Sequence, residues 1–106
     1  LSFFLIFFVV VCAKKIKLAQ NEKNIIGTWK NSSSENVITV QDSEALILYN
    51  DIPEAGLYHG NASYHFSYTD TICITQDDIS AEFDIDVDEN QLIIYFAGQV
   101  YLVLQK

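Results

Sequence analysis

Between residues 81 and 87 the chain alternates strictly between apolar and acidic side chains. The alternating residues are Ala81, Glu82, Phe83, Asp84, Ile85, Asp86 and Val87. Successive side chains of a β-strand point to opposite faces, whereas an amphipathic helix repeats its apolar residues every three or four positions. The segment is therefore predicted to be a β-strand with one buried face and one solvated carboxylate face.

Short runs of this kind follow one another along residues 25–104, and turn-forming residues separate them, as at 32–34, at 88–90 and around Pro53. The predicted strands are residues 25–31, 36–41, 45–49, 56–60, 62–68, 71–76, 81–87, 91–97 and 99–104. Short strands joined by tight turns predict an all-β domain. We expect a single antiparallel meander that closes into a small barrel of eight strands.

Residues 1–13 are apolar except for Ser2. A helix of this length would reach about 20 Å, short of the roughly 30 Å hydrocarbon layer of a membrane, so we interpret the run as the apolar part of a signal peptide. The chain is accordingly divided into residues 1–19, a signal peptide or N-terminal anchor with a short tether, and residues 20–106, the barrel domain. This division predicts a secreted, periplasmic or cell-surface protein.

Four fates of the N-terminal segment remain open. Cleavage after Ala13 fits the small-residue rule for signal peptides, and Ala19 offers a second position. An apolar run that ends at Cys12 is similar to a bacterial lipoprotein signal, in which Cys12 would be lipidated, although Val11 stands where a small residue is usual. The fourth fate is an uncleaved anchor that stays associated with the membrane.

The acidic residues are concentrated in the predicted barrel. All fourteen lie at or beyond Glu22, where three lysines are the only basic residues, so residues 20–106 carry a formal net charge of −11. A surface this acidic repels nucleic-acid phosphates and anionic lipids. We therefore expect no nucleic-acid partner, and contact with a membrane only through the N-terminal segment.

The first predicted strand contains Gly27-Thr28-Trp29, and the chain has no other tryptophan. A glycine two residues before a lone tryptophan, followed by short strands and a final apolar run at 98–104, resembles the small lipocalin-like domains of secreted bacterial proteins, which have a calycin-type barrel. The resemblance covers residues 25–105. It implies that Trp29 packs across the closed end of the barrel as a structural plug, and that Gly27 permits a close approach.

A barrel of this kind is expected to bind a small apolar ligand, and because the sequence shows no nucleophile–base pair the domain is expected to be non-enzymatic. The expected ligand-binding residues are Trp29, Asn31, Tyr64 and Phe66. Residues 26–31 are also similar to the first strand of avidin-type biotin binders, where the asparagine after the tryptophan contacts ligand. Asn31 lies two residues after Trp29, on the same face of a strand, and is therefore expected to point inward. Those binders use further tryptophans that this chain lacks, and biotin binding is not expected.

The alternative is a barrel whose interior is filled by its own side chains, as small eight-stranded barrels can be. Segments 92–96 and 100–104 are apolar on both faces, which indicates that something covers their outer surface. This hypothesis predicts a protein-interaction or cell-envelope module. A homodimer through the last two strands is one form that the contact would take.

No catalytic, metal or cofactor site is expected. His59 and His65 are the only histidines, and neither has a cysteine or an acidic pair at metal-ligand spacing. The start of a calcium loop is similar to the alternating aspartates Asp84, Asp86 and Asp88. Such a loop needs glycine at the next position, where this chain has Glu89. The acidic residues of this segment are therefore expected to form a solvated strand face.

Overall fold

The computed structural model describes the backbone of residues 2–106 and the side chains of residues 13–106. Its regular elements are one N-terminal helix, a short 3-10 helix and eight strands. They are α1 (Ser2–Asn24), β1 (Gly27–Lys30), β2 (Asn36–Val40), β3 (Ala45–Leu48), the 3-10 helix (Pro53–Ala55), β4 (Gly60–Tyr68), β5 (Thr71–Gln76), β6 (Ile79–Val87), β7 (Gln91–Phe96) and β8 (Gln99–Gln105). In the described part of the chain, no helix combines the length and the apolar character that crossing a membrane requires.

The eight strands form one antiparallel meander. Each strand pairs with the next one in sequence, and β8 returns to pair with β1, so the sheet closes into a barrel. The turn between β7 and β8 consists of Ala97 and Gly98, whose positive φ angles of 53° and 79° give the turn twist that suits a two-residue hairpin. The predicted fold class, an all-β meander closed into a barrel of eight strands, is confirmed.

The strand predicted at residues 56–60 is wrong. Pro53 begins a 3-10 helix that ends at Ala55, and Gly56 follows it in the left-handed conformation with φ of 75°. Ile52 and Leu57 then form an isolated bridge, and β4 begins only at Gly60. Proline fixes the φ angle that a helical turn needs and glycine tolerates the positive φ at its end, so these two residues override the strand pattern. Residues 49–59 form the β3–β4 loop instead.

Side chains from every strand fill the interior of the barrel. Trp29 and Leu104 have no exposed surface, and Phe83 is 1% exposed. The buried apolar residues are Ile25, Trp29, Val37, Ile38, Val40, Leu46, Leu48, Ile52, Leu57, Tyr64, Ile72, Ile74, Phe83, Ile85, Val87, Leu92, Ile94 and Leu104. Complete burial of a large apolar side chain stabilises a fold by about 1.5–3 kcal/mol. The core is therefore the main source of stability, and it lies where a ligand cavity would otherwise be.

The C-terminal part of α1 packs against one end of the barrel. Asn21 is buried, and its Nδ2 atom donates a 2.8 Å hydrogen bond to the carbonyl oxygen of Thr69 in the β4–β5 turn. At the other end of the chain, Lys106 Nζ donates to the carbonyl oxygen of Asn24 at 3.0 Å. The last turns of the helix are therefore part of the folded domain.

The boundary predicted between residues 19 and 20 falls inside α1, which runs without a break from Ser2 to Asn24. Both predicted cleavage positions, after Ala13 and after Ala19, lie within this helix and stay predictions. The side chain of Cys12, the predicted lipidation site, lies outside the described residues.

Candidate functional site

Trp29 lies in the packed core and has no exposed surface, and its role as a structural plug stays a prediction. Its indole Nε1 donates a 2.8 Å hydrogen bond to the carbonyl oxygen of Ile25, and the ammonium group of Lys106 lies 5.0 Å from the centre of the ring. Gly27 has a φ of 136°, and a Cβ atom at this position would lie 2.6 Å from Lys106 Cε. The glycine therefore lets the C-terminal lysine approach the start of β1.

Asn31 lies in the turn between β1 and β2, where its side chain organises the turn itself. Oδ1 accepts hydrogen bonds from the backbone N–H groups of Ser33 at 2.9 Å and Glu35 at 3.0 Å. Nδ2 donates to Glu35 Oε1 at 3.2 Å. This pattern, in which the side chain bonds to the backbone two residues on, is characteristic of asparagine in turns.

Tyr64 and Phe66 lie close together, with ring centres 6.3 Å apart in an edge-to-face arrangement. Together with Leu18 and Glu22 of α1, they line a cavity of about 200 Å³ between the helix and the barrel. The Tyr64 hydroxyl donates to the carbonyl oxygen of Asp42 at 2.7 Å. Burial, followed by the negative charges of Asp42 and Glu22, raises the pKa of Tyr64 to about 12.

The four predicted ligand-binding residues therefore do not line one pocket. Tyr64 and Phe66 meet beneath α1, Trp29 is enclosed by the core, and Asn31 belongs to the β1–β2 turn. A different feature lies at the seam where the first and last strands meet.

The seam of the barrel is closed by a single residue pair. β1 pairs with β8 only through Lys30 and Gln105, although β8 extends back to Gln99. In the described residues, the rest of β8 has β7 as a neighbour on one side and no strand on the other. We call this unpaired side, from Gln99 to Leu104, the free edge of β8.

The hydrogen-bond pattern of β8 tells which backbone groups face the free edge. The Lys106 N–H donates to the carbonyl oxygen of Asn90 at 3.1 Å, and the register continues without a shift back to Leu102. Bonded and non-bonded residues alternate along an antiparallel pair of strands. Lys106, Leu104 and Leu102 therefore direct their backbone groups toward β7. Val103, between the last two, directs its N–H and C=O away from β7. β1 reaches only Gln105 and no described loop bonds to Val103, so both groups are unpaired.

An apolar cleft of about 110 Å³ lies beside the free edge. Its lining residues come from β2, β3, the β3–β4 loop and β8, and they are Val37, Ile38, Leu48, Asn50, Asp51, Ile52, Tyr101 and Leu102. For comparison, a dry cavity of about 150 Å³ holds a benzene molecule, and drug-sized ligands need roughly 300–1,000 Å³. The cleft therefore accommodates one small apolar group.

The rim of the cleft carries carboxylates. Glu54 Oε2 accepts a 3.0 Å hydrogen bond from the Tyr101 hydroxyl, and burial together with this carboxylate raises the pKa of Tyr101. Asp51 Oδ1 accepts bonds from the backbone N–H of His59 at 2.9 Å and from its ring Nδ1 at 2.7 Å. The backbone bond, followed by the ring bond, lowers the pKa of Asp51. The rim is thus negatively charged near neutral pH.

A second, polar groove of about 490 Å³ lies between α1 and the outer face of β6. Lys17 of the helix and Asp70, Asp84 and Asp86 of the barrel line it, and Asp84 Oδ1 accepts a 2.9 Å bond from Thr71 Oγ1. Among the described residues, no group of three or more histidine, cysteine, aspartate or glutamate side chains is arranged to hold a metal ion. The groove is a solvated charged surface.

An eight-stranded antiparallel barrel of this kind is compatible with a lipocalin-like, calycin-type fold. Comparison with protein-family models, with curated proteins and with solved structures gave no match. The candidate site at the seam was missed by the sequence reasoning because it depends on how far the first strand overlaps the last. The sequence does show that residues 100–104 are apolar on both faces, which indicates a contact there but not an unpaired edge.

Proposed function

We propose that this chain is an exported, non-enzymatic lipocalin-like domain that acts as a protein-interaction or cell-envelope module through its last two strands. The observation that carries the proposal is the filled interior, in which Trp29, Phe83 and Leu104 occupy the space that a carrier protein leaves for its ligand. A domain without a roomy cavity binds at its surface.

The outer surface of β8 is where such binding is expected. Val100 and Val103 are 58% and 49% exposed, and they lie on a strand that carries no charge from Gln99 to Gln105. Exposed apolar side chains on a strand within so acidic a chain favour a contact surface. The contact would be made with another protein or with a second copy of the chain.

A second candidate function is the binding of a small apolar molecule. The apolar cleft beside the free edge supports it, because Asn50 and Tyr101 at its rim could orient a ligand by hydrogen bonds. The limited volume of the cleft restricts this candidate to a ligand of a few heavy atoms, or to the end of a longer one.

The apolar N-terminal run supports the proposed export, and an exported domain would work outside the cytoplasm, at the cell surface or in the periplasm. The absence of catalysis is proposed because the titratable groups with shifted pKa values serve other roles. Asp88, for example, has a lowered pKa because it accepts bonds from the backbone N–H groups of Asn90 and Gln91, and so it caps a turn.

The test is photocrosslinking in an exporting bacterial host. A photoreactive amino acid replaces Val103 in the full chain, and the matched control carries it at Glu82, which is also exposed but lies on the acidic face of β6. We expect protein adducts from position 103 and none from position 82. Equal labelling at both positions, or no adduct at either, would contradict the interaction module.

Native mass spectrometry of the same exported protein tests the second candidate. A noncovalent adduct that disappears on denaturation would support the small-molecule function. A bare mass would remove that support and leave the interaction module.

A further inference from the structure

We infer that the free edge of β8 binds an extended segment of a partner protein by strand addition, with one apolar side chain of the segment in the cleft and cationic side chains toward the acidic rim. This inference rests on the proposed interaction module and names the mode of binding and the chemistry of the partner.

The first argument is the state of the edge. Val103 offers an unpaired N–H and an unpaired C=O in the plane of the sheet, and its side chain is half exposed. Natural proteins usually protect such edges with lysine, proline or an inward-pointing charge. From Gln99 to Gln105, β8 contains none of these residues, and its one register shift against β7, at Tyr101, lies before Leu102 and leaves Val103 in a regular stretch. The edge is therefore free to form main-chain hydrogen bonds with an added strand.

The second argument is the space beside the edge. Val37 of β2 and Leu102 of β8 line the same cleft, because β1 is too short to separate their two strands along this part of the barrel. A strand added to β8 would continue the sheet into this gap. Every second side chain of an added strand points to one face. The volume of about 110 Å³ is suited to one valine-sized or leucine-sized side chain on that face.

The third argument is charge. Asp51 lines the cleft and Glu54 contacts Tyr101 of β8, while residues 20–106 together carry a net charge of −11. A second copy of the chain would bring the same charge to the contact and be repelled. A segment with lysine or arginine beside its apolar residues would be attracted and steered to the edge. Charge complementarity therefore favours a cationic segment over a homodimer.

The test uses a capped synthetic peptide of alternating valine and lysine, which presents valine on one face of a strand and lysine on the other. Its affinity is measured by isothermal titration calorimetry for the full chain and for two variants. Val103→Pro removes the outward N–H without disturbing the bonds to β7, and proline is tolerated at edge strands. Val103→Thr keeps the N–H and the branched shape, and is the matched control.

We expect Val103→Pro to weaken peptide binding about fivefold or more, the loss expected for one hydrogen bond, and Val103→Thr to stay within about twofold of the unmodified protein. Replacing the lysines of the peptide with glutamate should abolish binding. Equal affinities of the Pro and Thr variants, or equal binding of the glutamate peptide, would overturn strand addition by a cationic segment.

Amide hydrogen exchange of the unmodified protein gives a second readout, which does not depend on whether the proline variant folds. Saturating peptide should slow exchange at Val103 and leave the already bonded Leu104 unchanged. No slowing at Val103 would contradict the inference. A dimer that forms without peptide and is lost in Val103→Pro would also overturn it, because a second copy would then occupy the edge.

Failure of this inference can be distinguished from failure of the proposed function. Protein adducts from position 103 in the photocrosslinking experiment, combined with no effect of Val103→Pro, would leave the interaction module intact and assign binding to the outer face of the strand. The absence of adducts would remove the interaction module itself.

Discussion

Trp29 and Ile25 are joined by a buried hydrogen bond from the indole Nε1 to the backbone carbonyl oxygen, 2.8 Å long, that spans the junction between α1 and β1. Both residues are almost completely buried. The bond therefore fixes the chain where it leaves the helix and enters the barrel.

Trp29→Phe should destabilise the protein by about 3 kcal/mol. The substitution leaves the Ile25 carbonyl oxygen without its partner and creates a cavity in the core. Urea unfolding followed by far-ultraviolet circular dichroism measures the change, because the variant has no tryptophan fluorescence. Tyr58→Phe, at a residue that is 65% exposed, is the control and should stay within about 0.5 kcal/mol of the unmodified protein. A comparable loss in both variants would contradict the role of the indole.

The raised pKa of Tyr64 predicts a loss of stability in alkaline solution. In the unfolded chain the phenol ionises near its ordinary pKa of 10.0, whereas in the folded protein it keeps its proton up to about 12. The stabilisation is therefore complete below pH 10 and is lost as the pH rises from about 10 toward about 12.

Tyr64→Phe should flatten this part of the stability curve and cost about 1 kcal/mol at neutral pH, because the bond to the Asp42 carbonyl oxygen is lost. Urea unfolding at a series of pH values measures both effects. Tyr58→Phe serves again as the reference for an exposed phenol. An unchanged alkaline slope in Tyr64→Phe would show that other groups cause the loss.

Asn21 is buried where α1 meets the barrel, and its Oδ1 atom has no hydrogen-bond partner among the described residues. Asn21→Asp should cost about 2–3 kcal/mol at neutral pH, because it removes the donor to Thr69 and buries a charge at a groove that Asp70 and Asp84 also line. Burial would raise the pKa of the new carboxyl, so the penalty should grow as the pH rises above about 4.

Thermal unfolding at pH 4 and at pH 7 measures this dependence. Gln20→Glu adds the same charge one residue earlier, at an exposed position, and should change the stability by no more than about 0.5 kcal/mol. Equal effects of the two substitutions would mean that the end of α1 is not docked on the barrel in solution.

The β7–β8 turn predicts a stabilising substitution. Ala97 has a φ of 53°, which is unfavourable for alanine, and asparagine is preferred at the first position of such a turn. Ala97→Asn should therefore stabilise the protein by about 0.5 kcal/mol. Gly98→Ala should destabilise it by about 1 kcal/mol through backbone strain alone, since an added Cβ atom would meet no atom within 4 Å. Chemical denaturation measures the free energy of unfolding of both variants. We expect it to rise in Ala97→Asn and to fall in Gly98→Ala.

The fold could be predicted from the sequence because its signals are local. The alternation in β6 and the turn residues before and after it are visible within a few positions, and they survive in the structure. The strand predicted at 56–60 failed for an equally local reason, since Pro53 and Gly56 form a helical turn there. A prediction that weighed backbone conformation above side-chain alternation would have found the loop.

The candidate site could not be predicted in the same way. Asn31 lies two residues after Trp29, so it would share the inward face of Trp29 only if the strand continued to residue 31. The structure ends β1 at Lys30, and Asn31 begins a turn. The free edge depends on the register between the first and last strands. That register is set by contacts between residues far apart in sequence, which no local pattern reveals.

The single pair between Lys30 and Gln105 also bears on how the protein folds. Every other strand pairing joins neighbours in the chain, so the meander can form from successive hairpins at a small entropic cost of loop closure. Closing the barrel costs more, because it must bring together the two ends of the sheet. We expect closure to be the last folding step and the first to reverse, with the Lys30 amide exchanging faster than the central amides of β5. The barrel would then open and reclose at its seam while the rest of the sheet stays intact.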